Sequence, residues 1–438
     1  MDTFALIVVF LVVLFLILYG QFLVSGLFLI SLAFISFTNA NSEASISGGS
    51  IMVKGQKKSR YSGYEYTCEE LKGFTLDPDF VDAMKSGDYK KIIVSHLYHP
   101  SFKRPEYNNK VISRVLSVDA PRLKYTRKTG RFKRQLHWGQ LKLFLTEIEF
   151  INLAIKRYGK DSKFYVLYVG AAPGNHTTEL AAMYNDNGIS VYFDLWDGNP
   201  YVCRPIPGRI EIHQSLFFDK DAEFYRAKFD KLNSKSKLDS KTVVLLISDI
   251  RSAGDEKAVA FDMGLQLGWW KTLEPDMCMY KFRLPWSPGK TTYADGEIYI
   301  QPFPGITSSE TRLIIDKRIH DMKMKEYDNT TYEEQCFYHN NMLRGCSYYP
   351  TQLFGGKHRD LSLERDGLCN CYDCMSMAVL IHEYLDIVGK SNSLADVIKY
   401  AEHLERKTGG GTGRSTLLAQ TLDNFKSAIE IGSNYKNC

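Results

Sequence analysis

The sequence has little that could cross-link it. Its 438 residues include nine cysteines, irregularly placed and mostly solitary, which excludes a disulfide-stapled scaffold and fits a reducing compartment. Net charge is also scarce. A balance of +5 is too small to make the whole chain a polyanion binder, so contact with nucleic acid requires a local basic patch. Charge is missing altogether from Thr3 to Ser42, and Phe4–Thr38 is almost wholly apolar. A single tilted span needs roughly 20 apolar residues. Residues 1–42 are therefore expected to form a transmembrane segment, as one long span or as a hairpin broken near Gly20-Gln21. No basic run precedes it, as one would in a signal peptide. The basic flank, Lys54, Lys57, Lys58 and Arg60, comes after it. The positive-inside rule then places the rest of the chain in the cytosol, anchored to a membrane through residues 4–38.

The length leaves room for two or three domains beyond that anchor. Residues 43–65, rich in Ser and Gly, read as a flexible linker. An arm over 66–135 follows. Acidic residues are absent from Arg122 to Arg134, a stretch that carries Arg122, Lys124, Arg127, Lys128, Arg131, Lys133 and Arg134 with Tyr125 and Phe132 between them. Basic residues interleaved with aromatics are what a phosphate backbone and a stacked base require.

The chain is organised around Phe164–Leu180. An apolar, β-branched and aromatic run, Tyr165 to Val169, enters the turn Gly170-Ala171-Ala172-Pro173-Gly174, and Thr177 onward reads as helix. Strand, small-residue turn and helix open a doubly wound α/β sheet, whose ligands bind beyond the carboxyl ends of the strands. Small residues in the turn are expected to let a ligand approach the backbone closely. The turn has no GxGxxG triplet, which fits a ligand presenting a nucleoside and an amino acid better than one presenting a pyrophosphate.

Further elements follow in order. Leu143–Ile155 has the spacing of a packed helix. Ile189–Asp194 reads as a second strand, and an acidic residue near its end is placed to accept hydrogen bonds from a ribose diol. Asp194 and Asp197 compete for that place, with Asp197 favoured because it lies at the strand's exit. Arg209–His213 fits another strand. Thr242–Ser248 is an unbroken apolar run of the buried parallel kind that delivers Asp249, Met277–Arg283 delivers Lys281, and Thr311–Asp316 follows directly on Glu310. Lys142, just ahead of the predicted helix, completes a set of four charged residues near one sheet edge.

In this order, Gln140-Leu141-Lys142, Gly170-Ala-Ala-Pro-Gly174, Ile247-Ser-Asp249-Ile-Arg251, Lys281-Phe-Arg-Leu-Pro-Trp286, Gln301-Pro-Phe303 and Ser309-Glu310-Thr-Arg312, the chain resembles the poxvirus-type mRNA cap-specific 2′-O-methyltransferases. In poxviruses such a protein is also the processivity subunit of the poly(A) polymerase. The resemblance covers roughly residues 120–340. It implies a Rossmann-like α/β methyltransferase domain at 136–318 that uses S-adenosylmethionine, with a mixed, mainly helical extension at 319–438.

By resemblance, Lys142, Asp249, Lys281 and Glu310 form a catalytic tetrad around the ribose 2′-hydroxyl. The residue types suit the chemistry. Methyl transfer from a sulfonium to an alcohol is an in-line displacement, so positioning matters greatly. The hydroxyl needs help losing its proton, and an ordinary lysine, with a pKa near 10.4, is charged at neutral pH and cannot accept one. A second cation and partial burial favour the neutral amine, whereas a carboxylate opposes it. Lys281 is thus expected to be the base or hydroxyl-steering group, with Lys142 helping to lower its pKa and the carboxylates orienting both lysines.

The family's cofactor contacts fall on Gln140, Tyr168, Gly170, Gly174, Asp197 and Asp249, with Phe218 as a wall of the adenine pocket. Asn199 stands where the family often has a basic residue. A methylated guanine is cationic and stacks on aromatic faces. The resemblance puts Trp286 on that base and Glu333 at its edge, with Tyr125 as the second aromatic. It also implies capped mRNA and a poly(A) polymerase catalytic subunit as partners. Two other functions remain open: a non-catalytic RNA-binding processivity factor, and a 2′-O-methyltransferase acting on internal RNA positions.

In the tail, Cys369, Cys371 and Cys374 with His358 and His382 lack the paired CxxC spacing of a zinc knuckle, so no metal site is expected. Ser376–Val388 reads as helix. Lys407–Thr416 is rich in glycine but lacks the Gly-Lys-Ser/Thr ending of a phosphate loop.

Overall fold

The computed structural model describes residues 113–125, 136–235, 242–304, 308–340, 368 and 372–408, with two short strands at 52–53 and 56–57. The chain divides into two compact units, Met1–Ser62 and Gly63–Cys438. In the first, β1 (Met52–Val53) and β2 (Gln56–Lys57) pair antiparallel, within the segment expected to be linker. The predicted span at 4–38 and the basic residues from Arg127 to Arg134 lie outside the described residues. Among the described residues no helix is long and apolar enough to cross a membrane.

In the second unit, helices α1 (Leu136–Tyr158), α2 (Thr177–Asn185), α3 (Asp219–Lys235) and α4 (Glu256–Leu273) alternate with strands β3 (Lys163–Val169), β4 (Val191–Trp196), β5 (Ile210–His213), β6 (Thr242–Ser248) and β7 (Met277–Phe282). Strands β8 (Lys290–Ala294), β9 (Glu297–Tyr299), β10 (Thr311–Asp316) and β11 (Met324–Asp328) follow, with short helix α5 (Lys317–His320) and helices α6 (Asn329–Tyr338), α7 (Tyr372–Ile387) and α8 (Leu394–Lys407).

Among the described residues one seven-stranded sheet has the order β5-β4-β3-β6-β7-β10-β9. The first five strands are parallel, and β10 runs antiparallel to both its neighbours. The connections run outward from β3 to β4 and β5 on one side, and from β6 to β7 on the other. The crevice between the carboxyl ends of β3 and β6 is therefore a topological switch point, where open α/β sheets bind ligands.

Two apolar layers cover the sheet. One face packs on α1, α2, α7 and α8 through residues such as Phe144, Ile148, Leu180 and Leu380. The other packs on α3, α4 and α6 through Tyr225, Phe229, Trp269, Trp270 and Tyr332. Residues 114–116 run beside β9, where Ile300 N–H donates to the Arg114 carbonyl and Leu116 N–H to that of Ile298. This covers an edge that would otherwise present unpaired backbone groups.

Several boundaries differ from expectation. The first helix begins at Leu136, so Gln140 and Lys142 lie inside α1 and not ahead of it. Of the added residues, Leu141 is buried in the layer that covers the sheet. The second strand begins at Val191, two residues later than predicted. The expected boundary at 318/319 does not separate packing units. β11 pairs along β8, and Tyr332 of α6 and Tyr372 of α7 belong to the two layers that cover the sheet. The tail helix starts at Tyr372 and buries Cys374. His358, Cys369 and Cys371 lie outside the described residues, as do residues 409–416.

Candidate active site

The turn after β3 is built by close approach of the chain to itself. Gly170 (φ +84°) and Gly174 (φ +68°) occupy the left-handed region that favours glycine. A Cβ on Gly170 would lie 2.8 Å from Ile250 N and 2.9 Å from Asp249 C, and one on Gly174 would lie 2.6 Å from Cys203 Sγ. At both glycines the space that a Cβ would fill is taken by the chain's own atoms. Turn N–H groups are committed as well. Gly170 N–H donates to the Trp196 carbonyl (2.7 Å) and Ala172 N–H to Asp197 Oδ2 (3.1 Å). The turn thus braces β3 against β4 and lies close on the backbone after β6.

Asp197, at the exit of β4, also accepts from Asn199 N–H (2.8 Å) and its side-chain amide (2.9 Å). Asp194, its competitor in the sequence, is fully buried beneath the hydroxyls of Tyr165 and Tyr225, away from the crevice. Phe218, before α3, is 51% exposed.

Five charged side chains meet beside this turn. Lys142 Nζ donates to Glu310 Oε1 (2.7 Å). Lys281 Nζ lies 3.3 Å from Asp249 Oδ2 and 4.0 Å from Glu310 Oε2. Arg312 Nη1 bonds Asp249 Oδ1, and its Nε donates to Gln301 Oε1 (2.9 Å). Gln301 closes the ring by donating to the Glu310 carbonyl (3.0 Å). Strand register explains the assembly. Asp249 and Lys281 come to the carboxyl edge on parallel β6 and β7. Because β10 runs the other way, Glu310, just before its first residue, arrives at the same edge. Arg312 sits directly opposite Lys281, on the same face.

The two carboxylates respond to their surroundings alike. Burial alone would raise Asp249, but Arg312 and Lys281 overcome it and hold the carboxyl below its ordinary range. Burial also opposes ionisation of Glu310, and Lys142, Lys281 and Arg312 together hold it well below. The four predicted residues are thus brought together. Lys142, however, makes its direct contact with Glu310 and not with Lys281. The sequence carried Arg312 and Gln301 only within the motifs of the resemblance, without a role of their own; they are 2% and 1% exposed. The available signal was an arginine inside the apolar run Thr311–Asp316.

A second polar chain lies beneath the turn. Gln140 Oε1 is 3.2 Å from His176 Nδ1, and His176 Nε2 is 2.7 Å from Glu147 Oε2. Glu147 Oε1 accepts from the Tyr168 hydroxyl (2.7 Å). Tyr168 is only 1% exposed, so its side chain backs the site and does not line it. Glu147 inside the apolar helical run was the sequence signal for this chain.

The residues expected at a cap gather past the end of β7. Trp286 is 51% exposed, and the Arg283 guanidinium covers one face of its ring at 4.1 Å from the centroid. Glu256 accepts from Arg283 (2.7 Å) and from Trp286 N–H (2.8 Å), and Arg122 bonds Glu334 at 2.6 Å. Burial, with the charges of Glu256 and Glu334, raises the pKa of Glu333 against the pull of Arg283. Tyr125 packs edge-on against Phe337 (5.1 Å), one helical turn from Glu333. Arg283 and Glu256, given no role in the sequence expectations, both contact Trp286 and both act electrostatically on Glu333.

The cap-specific mRNA (nucleoside-2′-O-)-methyltransferase of fowlpox virus (strain NVSL) is 28% identical over 218 residues, covering 47% of this chain and 68% of that protein. The protein of the same name from myxoma virus (strain Lausanne) is 28% identical over 224 residues, covering 48% of this chain and 63% of its own length. A solved structure of bluetongue virus VP4, described as a multifunctional RNA-capping production line, covers 60% of this chain and 45% of its own at 13% identity. Its TM-score of 0.30 is too low to support an argument about fold. The family model described as poly A polymerase regulatory subunit matches residues 110–382, more than half of the sequence. The chain belongs to the poly(A) polymerase regulatory subunit family.

Proposed function

We propose that this protein transfers a methyl group from S-adenosylmethionine to the ribose 2′-oxygen of the first transcribed nucleotide of capped mRNA. The observation that carries the proposal is the closed network of Lys142, Glu310, Lys281, Asp249 and Arg312 beside the β3–β6 crevice. The names of the fowlpox and myxoma relatives support the same reaction. The switch-point topology supports a Rossmann-like methyltransferase fold.

The donor set around the crevice suits the cofactor. A carboxylate at the strand exit, Asp197, matches a ribose diol, the Gln140 amide matches an amino-acid group, and the exposed Phe218 ring offers a face for a purine. Gly170 and Gly174 hold the turn against which it would lie. When bound, S-adenosylmethionine supplies an electrophilic methyl on a positively charged sulfur.

The protein's own work is to orient the hydroxyl and take its proton. Lys281 Nζ, held between Asp249 and Glu310, is the atom that hydrogen-bonds the 2′-hydroxyl and accepts the proton. Three cations face two carboxylates in the network, an excess of one positive charge. Glu310 also holds Lys142 and Asp249 also holds Arg312, so Lys281 shares each carboxylate with another cation.

The cap side follows the same logic. Glu333 is crowded by Glu256 and Glu334 in the free protein, and a cationic methylguanine on Trp286 would relieve that repulsion. Short RNA of one sequence, capped and uncapped, offered with labelled S-adenosylmethionine, tests the assignment. Methylation of capped RNA alone supports it, equal methylation of both moves the substrate to internal positions, and methylation of neither favours an RNA-binding processivity factor.

Family membership favours a poly(A) polymerase catalytic subunit as partner, which co-purification tests. The uncharged run at 4–38 favours a membrane anchor with the catalytic unit in the cytosol. Resistance to alkaline carbonate extraction, lost on deleting that run, is the expected result.

A further inference from the structure

On the face of the sheet opposite the lysines, β4 and β5 bring three ligand-bearing side chains together. Their parallel register sets Asp194 beside Glu211 and Trp196 beside His213, and residues two apart in a strand share a face. One atom each from Asp194, Glu211 and His213 lies within 4.8 Å of the others. His213 Nε2 is 2.8 Å from Asp194 Oδ1 and 3.7 Å from Glu211 Oε1.

The opposite oxygens are already committed. Asp194 Oδ2 accepts from the hydroxyls of Tyr165 (2.5 Å) and Tyr225 (2.6 Å), and Glu211 Oε2 accepts from Tyr192 (2.5 Å). Trp196 stacks on the His213 ring at 4.3 Å and 15°, which fixes the imidazole plane. Asp194 is fully buried, yet its Oδ1 has no hydrogen-bond partner, and neither has His213 Nε2. The two atoms are close without the alignment of a hydrogen bond. Buried polar atoms are seldom left unmet in this way.

We propose that Asp194 Oδ1, Glu211 Oε1 and His213 Nε2 hold a divalent transition-metal cation of the Zn²⁺ class, clipping β4 to β5. One imidazole nitrogen with two carboxylate oxygens suits that class. Ligands about 2.0–2.2 Å from a tetrahedral ion stand roughly 3.3–3.6 Å apart, a range the observed 2.8 and 3.7 Å bracket. The phenols on the far oxygens are the outer contacts that orient metal-binding carboxylates. Lys228 Nζ, 3.6 Å from Asp194 Oδ2, is the nearest cation and itself donates to the Tyr165 hydroxyl (2.6 Å). Two carboxylates against one ammonium still leave a negative charge for a dication to neutralise. The clip would steady the loop after β5, where Leu216 rests on Gly198 beside Asp197.

The test uses the full chain in detergent, stripped with chelator and titrated with Zn²⁺ by calorimetry, with Co²⁺ as a spectroscopic probe. The expected result is a tight equivalent that raises Tm and gives Co²⁺ d–d absorption. Glu211→Gln and His213→Ala should each weaken it at least about tenfold with unchanged far-UV circular dichroism. Glu211 is exposed, so its variant carries the test if His213→Ala fails to fold. Absence of Zn²⁺ binding, or binding equally tight in Glu211→Gln, overturns the proposal. The second outcome would move the metal elsewhere, for example to the cysteines near residue 370.

Discussion

Replacing Arg312 with Met tests whether the charged network is a single unit. The side chain is 2% exposed and bonds both Asp249 and Gln301, so Met fills similar volume while removing the charge and both hydrogen bonds. Breaking a buried ion pair from one side costs about 3–5 kcal/mol, because the remaining charge is left uncompensated. Lys281 still faces Asp249 at 3.3 Å, and both side chains keep some contact with water, so the lower end, about 3 kcal/mol, is expected. At roughly 2–4 °C per kcal/mol this lowers Tm by about 6–12 °C. Asp249→Asn alone should cost a similar amount, because it strands Arg312. The double variant should lose far less than the sum, with a coupling of about 2–3 kcal/mol. Urea unfolding of the four proteins measures the cycle. Additivity within about 0.5 kcal/mol would refute the claim that Arg312 exists to balance Asp249.

Three other outcomes follow from the geometry. Gly170→Ala should destabilise by more than about 2 kcal/mol, since its φ is left-handed and its Cβ would strike backbone atoms. Gly174→Ala should cost less, because the Cys203 thiol it meets can rotate, and denaturant unfolding compares the two. Trp286→Ala should weaken binding of a methylated cap analogue about tenfold or more while Trp286→Phe keeps most of it, read by fluorescence or calorimetry. Glu149 gives a pH signature: burial raises its carboxyl from 4.5 to about 7 against the Arg114 charge. The native state then holds a proton that the unfolded chain has already released. That contribution is fully present below about pH 4.5 and is lost as pH rises through about 7, worth roughly 3 kcal/mol across the window. Tm measured from pH 5 to 8 should fall more steeply in the wild type than in Glu149→Gln.

Much of the fold was legible because strands buried on both faces are continuous apolar runs. Thr242–Ser248 and Thr311–Asp316 match β6 and β10 residue for residue. Ile189 misled by two positions because it is buried in the approach to β4, where apolar character does not mark the first ladder bond. Asp249, Lys281 and Glu310 were visible at strand ends and Lys142 beside a helix, but the roles of their partners were not. Arg312, Gln301, His176 and Glu147 acquire meaning only from contacts across 9 to 63 residues of chain. The glycines of the turn were legible as necessary, whereas the reason for them, contact with Ile250 and Cys203, needed the three-dimensional arrangement.

The central claim is that Lys281 handles the 2′-hydroxyl within this network. It is tested most directly by comparing the wild type with Lys281→Met on capped RNA, reading labelled methyl at the first-nucleotide 2′-oxygen after nuclease digestion and S-adenosylmethionine affinity by calorimetry. The account predicts that the variant loses methyl transfer at that oxygen and binds the cofactor within a few-fold of wild type. Turnover retained in the variant, or label found elsewhere in the wild-type product, would contradict it.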